Sequence, residues 1–328
     1  MVDRNRTGTT LLMASTGGHL EQLLRLRDRI QPTVEPVEWV TFDDPQSQSL
    51  LAGEVVHHVP YVAPRNFKAV LANVPAAHRI LSHGDYARIV TTGSAIVLSF
   101  LPIARARGMS CHFIESSARA QGPSVTGSIV SHIPGMHLYT QYPSWAGERW
   151  TCGGSLFDVY GPRPRPGGSL SQAKRVVVTL GTMRTYGFRR AAEAVAALLP
   201  AVLAPQAEVL WQTGVTDVTG LDIDGQESVT AAEMRAAVKE ADLVIAHAGV
   251  GSALTALDLG KMPVLLPRLK TRYNEMVDDH QLMIAAELDS RGVAVSRDPG
   301  ALSVDDLRWA MNHTVVTAQD RTPFLLSR

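Results

Sequence analysis

The sequence predicts an α/β protein built from two parallel-sheet domains. Three observations predict it: strand and helix patterns alternate through the first half, a Pro- and Gly-rich stretch interrupts them, and the alternation then restarts.

In the first half, "TTLLMAS" reads as a strand before the helical "HLEQLLRLRDRI", and "VEWVTF" follows as the next strand. "ARIVTT" precedes the helical "AIVLSFLPIARAR", and "SCHFIE" closes the series. The segment "YGPRPRPGGSLSQAK" concentrates residues that continue neither helix nor strand comfortably. The expected organisation is therefore a first domain over 1–160, a linker over 161–174 and a second domain over 175–328. Past the linker come "RVVVTL", the helical "GFRRAAEAVAALL", "AEVLWQ", the helical "AAEMRAAVKEA", "DLVIAHA", the helical "GSALTALDLG" and "MPVLLP". Two such units would face a cleft. Ligands of open parallel sheets bind outside the carboxyl ends of strands, so the loops there hold the candidate residues.

Composition narrows the function. With 31 basic and 31 acidic residues, nothing attracts the chain at long range to nucleic acid. Cys111 and Cys152 are too few for a disulfide framework and have no C-x-x-C spacing, which fits a reducing cytoplasm. The opening "MVDRNRTGTTLLMAS" lacks the pattern of a secretory signal. The longest apolar run, Ala95 to Ala104, is about half of a membrane span. A protein of this kind that works at a membrane lies on it.

In "DLVIAHAGVGSALTAL", His247, Gly249, Gly251 and Ser252 stand between a strand and a helix. Two glycines admit a ligand to the backbone, and a helix start offers unpaired N–H groups to a phosphate. The plain alternative is a tight turn whose glycines serve packing. Leu254 occupies the third glycine position of a dinucleotide fingerprint, which disfavours NAD. "VVVTLGT" brings Gly181 and Thr182 to the same edge, and "LWQTG" brings Gln212 and Gly214. Asp279, His280 and Gln281, in "VDDHQ", can hydrogen-bond sugar hydroxyls or simply open a helix.

The first domain begins with "MASTGGHLEQLL", in which Gly17, Gly18 and His19 follow the first strand. His19 is a base candidate because its ordinary pKa, about 6.5, lies near working pH. "FIESSARAQGPSVTG" adds Glu115 as a second base candidate or as the group that orients His19, with Ser116 and Arg119 beside it. Its bland reading is a carboxylate paired with Arg119. Asp222 and Asp224 form a D-x-D in a polar stretch rather than after a strand, and no other grouping has metal-ligand spacing. Phe67, Val70, Leu71 and Val74 recur at helical spacing near Arg65, Lys68 and Arg79. That stripe is either core, the ordinary reading, or a basic amphipathic face for anionic lipid, although Pro75 interrupts it.

Taken in order, these motifs resemble a GT-B glycosyltransferase of the family 28 type. The chain is similar to a head-to-tail fusion of the PssD and PssE subunits of bacterial exopolysaccharide transferases, and more distantly to MurG and the eukaryotic two-subunit GlcNAc transferase. "STGGHLEQL", "TTGSA" and "IESSARAQGPSVTG" match the acceptor side, and "VTLGT", "WQTG", "ADLVIAHAGVGS" and "VDDHQ" the donor side. The resemblance implies a UDP-sugar in the second domain, with Gly181, Thr182, Gly249, Gly251 and Ser252 at the diphosphate. It places Asp279, His280 and Gln281 at the sugar and the segment around Met234 at the uracil edge.

It also implies His19 as base or acceptor-diphosphate contact. A glutamate found in the GlcNAc enzymes is replaced at Thr255 or Ala256, according to the frame. The implied activity is inverting, metal-independent transfer, with no cofactor, to a lipid-diphosphate-linked saccharide at the cytoplasmic membrane face. The alternatives are a UDP-sugar epimerase of the same fold or a transferase with a soluble acceptor. Arg268, Lys270 and Arg272 are either surface charge or a preference for a uronate, and the oligomeric state is left open, a homo-oligomer included.

Overall fold

The structure, a computed structural model, describes residues 8–63, 66–183, 185–276, 279–318 and 322–327. Arg65, named above, and Val277 and Asp278 of "VDDHQ" lie outside the described residues. The chain divides into two compact units, Met1–Asp158 with Arg321–Arg328, and Val159–Asp320.

Each unit is a parallel sheet wound in both directions from its first strand. In the first unit the strands lie in the order Val56–Val59, Val37–Phe42, Thr9–Ala14, Tyr86–Gly93, Ser110–Ile114, Met136–Thr140, Thr151–Cys152. In the second the order is Gly225–Gln226, Leu203–Gln212, Ala173–Thr179, Leu243–His247, Pro263–Leu266, Val295–Ser296. The strands form because short apolar runs are covered on both faces: Leu11, Leu12 and Met13 in one sheet and Val176, Val177 and Val178 in the other are almost completely buried. In both sheets the winding reverses between the first strand and its later neighbour, Thr9–Ala14 beside Tyr86–Gly93 and Ala173–Thr179 beside Leu243–His247. Loops diverge at such a reversal and leave a crevice at the strand ends.

The expected linker is replaced by structure. Tyr160–Pro164 is a strand paired antiparallel with His313–Thr317, because Pro162 and Pro164 are tolerated in a two-stranded edge where few N–H groups must pair. The boundary accordingly falls between Asp158 and Val159.

The end of the chain also returns to the first unit. Phe324–Leu325 pairs with Ile30–Gln31, Phe324 is fully buried, and Arg29 donates to the carbonyls of Thr322 and Ser155, both at 2.8 Å.

The apolar stripe over 67–74 divides. Asn73 and Pro75 break it into the helices Phe67–Ala72 and Val74–His83, with Pro75 in the first turn of the second, where its missing N–H costs nothing. Val70 enters the core with Ala77, Ile80 and Leu81, whereas Phe67, Leu71 and Val74 remain exposed, which corrects the core reading for three of the four.

Candidate functional site

In the second unit, the sequence-expected residues gather where the sheet reverses. Gly181 follows Ala173–Thr179 with φ +89°, a conformation that favours glycine, and a Cβ there would lie 2.9 Å from the His247 ring. A Cβ on Gly249 would lie 2.5 Å from His247 Nε2. The imidazole at the end of Leu243–His247 is thus fitted between two glycines. Burial first, then the nearby Arg268 charge, pushes the His247 pKa down to about 4, so the ring is neutral at neutral pH.

Gly249 caps the helix Val250–Asp258 without a side-chain partner, and a Cβ on Gly251 would meet nothing within 4 Å. A helix start with room beside it and the positive end of the helix dipole is a place suited to an anion. Ser252 is in this turn, and Thr255 bonds back to the Gly251 carbonyl at 2.9 Å. Gly214, with φ +58°, packs on the Gly181 carbonyl, and the exposed Thr182 follows Gly181.

Several expected ligands turn out to brace this geometry. Gln212 is buried and accepts from Thr179 Oγ1 at 2.6 Å. Gln281, expected at a sugar, is 2% exposed; its Oε1 accepts from Arg268 N at 3.1 Å and its Nε2 approaches Met276 sulfur. The Asp279 carboxylate accepts from Lys270 N at 2.7 Å and from the Thr271 hydroxyl, fixing the short helix before it. Met234 donates its N–H to Thr230 at 2.9 Å within a helix opened by a Thr230–Glu233 capping box, and its side chain packs on the core around Val177. That N–H is consequently closed to a base. His280, the first residue of His280–Ser290, is near enough to His247 to bear on its charge.

Arg268 corrects the surface reading outright. It is 1% exposed, and its guanidinium donates to main-chain carbonyls. The sequence offered no sign of this, because a strand-end arginine looks the same whether it points out or in.

In the first unit, His19 sits in the first turn of the helix Gly18–Arg27, behind Gly17 at φ +85°. Its Nδ1 lies 2.6 Å from the Thr92 carbonyl at the end of the neighbouring strand. Burial chiefly lowers its pKa; the Thr92 carbonyl opposes this and the Arg119 charge adds to it. The residue that orients His19 is therefore Thr92, from the "TTGSA" stretch, rather than Glu115.

Glu115 is almost fully buried. It accepts from Ser116 N at 3.0 Å and from Ser124 N and Oγ at 2.8 and 3.0 Å. Burial raises its pKa, against those hydrogen bonds and Arg119. The Glu115 oxygens thus hold the 115–124 loop. Ser116 Oγ is engaged as well, accepting from Gln22 and from Ala118 N, each at 3.2 Å. Asp222 and Asp224 are exposed, and among the described residues no three His, Cys, Asp or Glu cluster to hold a metal.

Residues 175–304 match the glycosyltransferase family 28 C-terminal domain. This stretch contains the second-unit crevice from Gly181 to Gln281. A 117-residue segment is 32% identical to the UDP-N-acetylglucosamine transferase subunit ALG13 of Yarrowia lipolytica, covering 35% of this chain and 54% of that protein. The chain thus spans about half the length of this curated relative. Among solved structures, MurG of Acinetobacter baumannii is similar over 92% of this chain and 89% of its own, at 20% identity and a TM-score of 0.55. The UDP-GlcNAc 2-epimerase of Methanocaldococcus jannaschii is similar over 97% and 96%, at 11% identity and a TM-score of 0.59. The fold is of the GT-B kind, two Rossmann-like parallel-sheet units.

Proposed function

We propose that the chain is an inverting glycosyltransferase that moves a sugar from a UDP-sugar to a hydroxyl of a lipid-diphosphate-linked saccharide. The observation that carries this reading is the crevice of the second unit: Gly181, His247, Gly249 and an uncapped helix start converge there, inside the segment that matches family 28. Main-chain N–H groups and the helix dipole stabilise the leaving diphosphate, which is charge preorganisation without a metal requirement. His19 removes the proton of the acceptor hydroxyl as it attacks the anomeric carbon.

UDP-GlcNAc is the first donor to test, on the likeness to the Yarrowia subunit. Acceptor and donor motifs share one chain here, so the proposed enzyme needs no separate catalytic partner. It works from the cytoplasmic face of a membrane. Among the described residues no helix is long and apolar enough to cross one, while Phe67 and Leu71 are 53% and 69% exposed beside the exposed Lys68.

The test is a calorimetric titration with UDP and a panel of UDP-sugars, with and without EDTA, followed by transfer to a synthetic prenyl-diphosphate sugar. EDTA-resistant UDP binding and a glycosylated lipid product are the expected results. Conversion of a UDP-sugar to its epimer with no acceptor present would replace this reading with an epimerase.

A further inference from the structure

In the second unit the buried Arg268 Nε has no hydrogen-bond partner among the described residues. The Arg268 charge also bears on His247, at the end of Leu243–His247. Buried polar atoms are almost always paired, so this orphan marks a position that a ligand or ordered water completes.

The rest of Arg268 shows what holds it there. One terminal nitrogen donates to the Leu180 carbonyl at 2.6 Å; the other donates to the Tyr186 carbonyl at 2.7 Å and lies 3.4 Å from that of Glu275. The guanidinium carbon is 5.1 Å from the centre of the Phe188 ring, and Arg268 N donates to Gln281. Leu180 and Tyr186 belong to the loop after Ala173–Thr179, and Glu275 to the loop after Pro263–Leu266. One planar cation therefore bridges the turn that carries Gly181 and Thr182 to the loop that leads to His280. That second loop is pinned in turn, because the Glu275 carboxylate receives Arg190 at 3.0 and 3.2 Å and Leu269 N at 3.1 Å. A buried cation is costly unless such bonds are made, so its position and those of the two loops are mutually fixed.

We propose that Arg268 is the positioning residue of the donor site, holding the Gly181–Thr182 turn and the loop toward His280 in the register that a nucleoside diphosphate-sugar requires. Its remaining N–H completes its bonding when that ligand, or water ordered by it, is present. This rests on the donor-site reading of the previous subsection. Lysine cannot substitute, since a single ammonium cannot reach two loops from one fork.

The experiment compares the wild-type protein with R268K by calorimetry against UDP, thermal melting, and steady-state kinetics with the UDP-sugar that binds best. A folded R268K is expected to bind UDP about 10- to 100-fold more weakly and to raise the donor KM in parallel, with kcat changed less, as for a displacement of roughly 1 Å. UDP affinity and KM equal to wild type in a folded R268K overturn the proposal. A purely structural arginine lowers the melting temperature and leaves both constants alone.

If R268K does not fold, hydrogen exchange on the wild-type protein decides. UDP is expected to slow exchange in 180–183 and in 268–276 together, and protection of the first without the second overturns the bridge. Absence of UDP binding to the wild-type protein removes the donor-site reading itself and this inference with it.

Discussion

His19 and Thr92 hold each other reciprocally: the imidazole meets the Thr92 carbonyl at 2.6 Å, and the Thr92 hydroxyl donates to the His19 carbonyl at 2.8 Å. A carbonyl only accepts, so Nδ1 carries the proton and Nε2 keeps the lone pair that a base requires. Replacing His19 with Ala is expected to lower turnover about 10²- to 10⁴-fold. Calorimetric UDP affinity should be unchanged, because the nucleotide is assigned to the other unit.

The lowered pKa of His19 also sets a pH dependence. A base must be unprotonated, so the acid limb of kcat/KM is expected below pH 6.5, the ordinary histidine value, and to disappear in H19A. A limb at or above pH 6.5 would contradict the burial of the ring.

Glu115→Ala should act on stability rather than chemistry. It strands the Ser116 and Ser124 N–H groups and the Ser124 hydroxyl, and a loss of about 1–3 kcal/mol in urea denaturation is expected. Turnover of the folded variant should stay well above that of H19A.

The glycines of the second crevice should separate by geometry. Gly249→Ala drives a methyl group to 2.5 Å from His247 Nε2, and Gly181→Ala adds backbone strain at φ +89°. Both are expected to abolish measurable UDP binding. Gly251→Ala has room in the free protein, so its melting temperature should hold, and any loss of UDP affinity reports how closely the ligand approaches that turn.

Stability should fall on the acid side. Burial holds His247 near 4 and His112 near 3 in the folded protein, whereas both titrate near 6.5 when unfolded. Between those values the unfolded chain binds the protons, so stability is complete above about pH 6.5 and is lost as pH falls toward 4 and then 3. Denaturation of His112→Asn across pH 7 to 4 should show a shallower slope than wild type.

Much of this was legible beforehand, and the limits have a physical pattern. Long apolar periods announced the central strands and helices, such as Val37–Phe42 and Ala231–Glu240. Short edge strands such as Gly225–Gln226 and Val295–Ser296 went unseen because two residues carry no period. The glycine turns were located by spacing, but spacing cannot tell a ligand from a brace. Gln281, Glu115 and Arg268 are polar residues turned inward by their neighbours, which is a tertiary fact. Thr92 acts through its carbonyl, which has no side-chain signature at all.

The strand Phe324–Leu325 gives the chain an unusual genetic consequence. Its N–H groups and that of Leu326 after it donate to the carbonyls of Arg29, Gly153 and Gln31 at 2.7 Å, and Gly153 has no room for a Cβ against the Phe324 ring. A gene cut between codons 158 and 159 would not yield two self-sufficient halves, because the downstream product would carry away a piece of the upstream fold. A fission that respects the packing must transplant codons 322–327 to the first fragment.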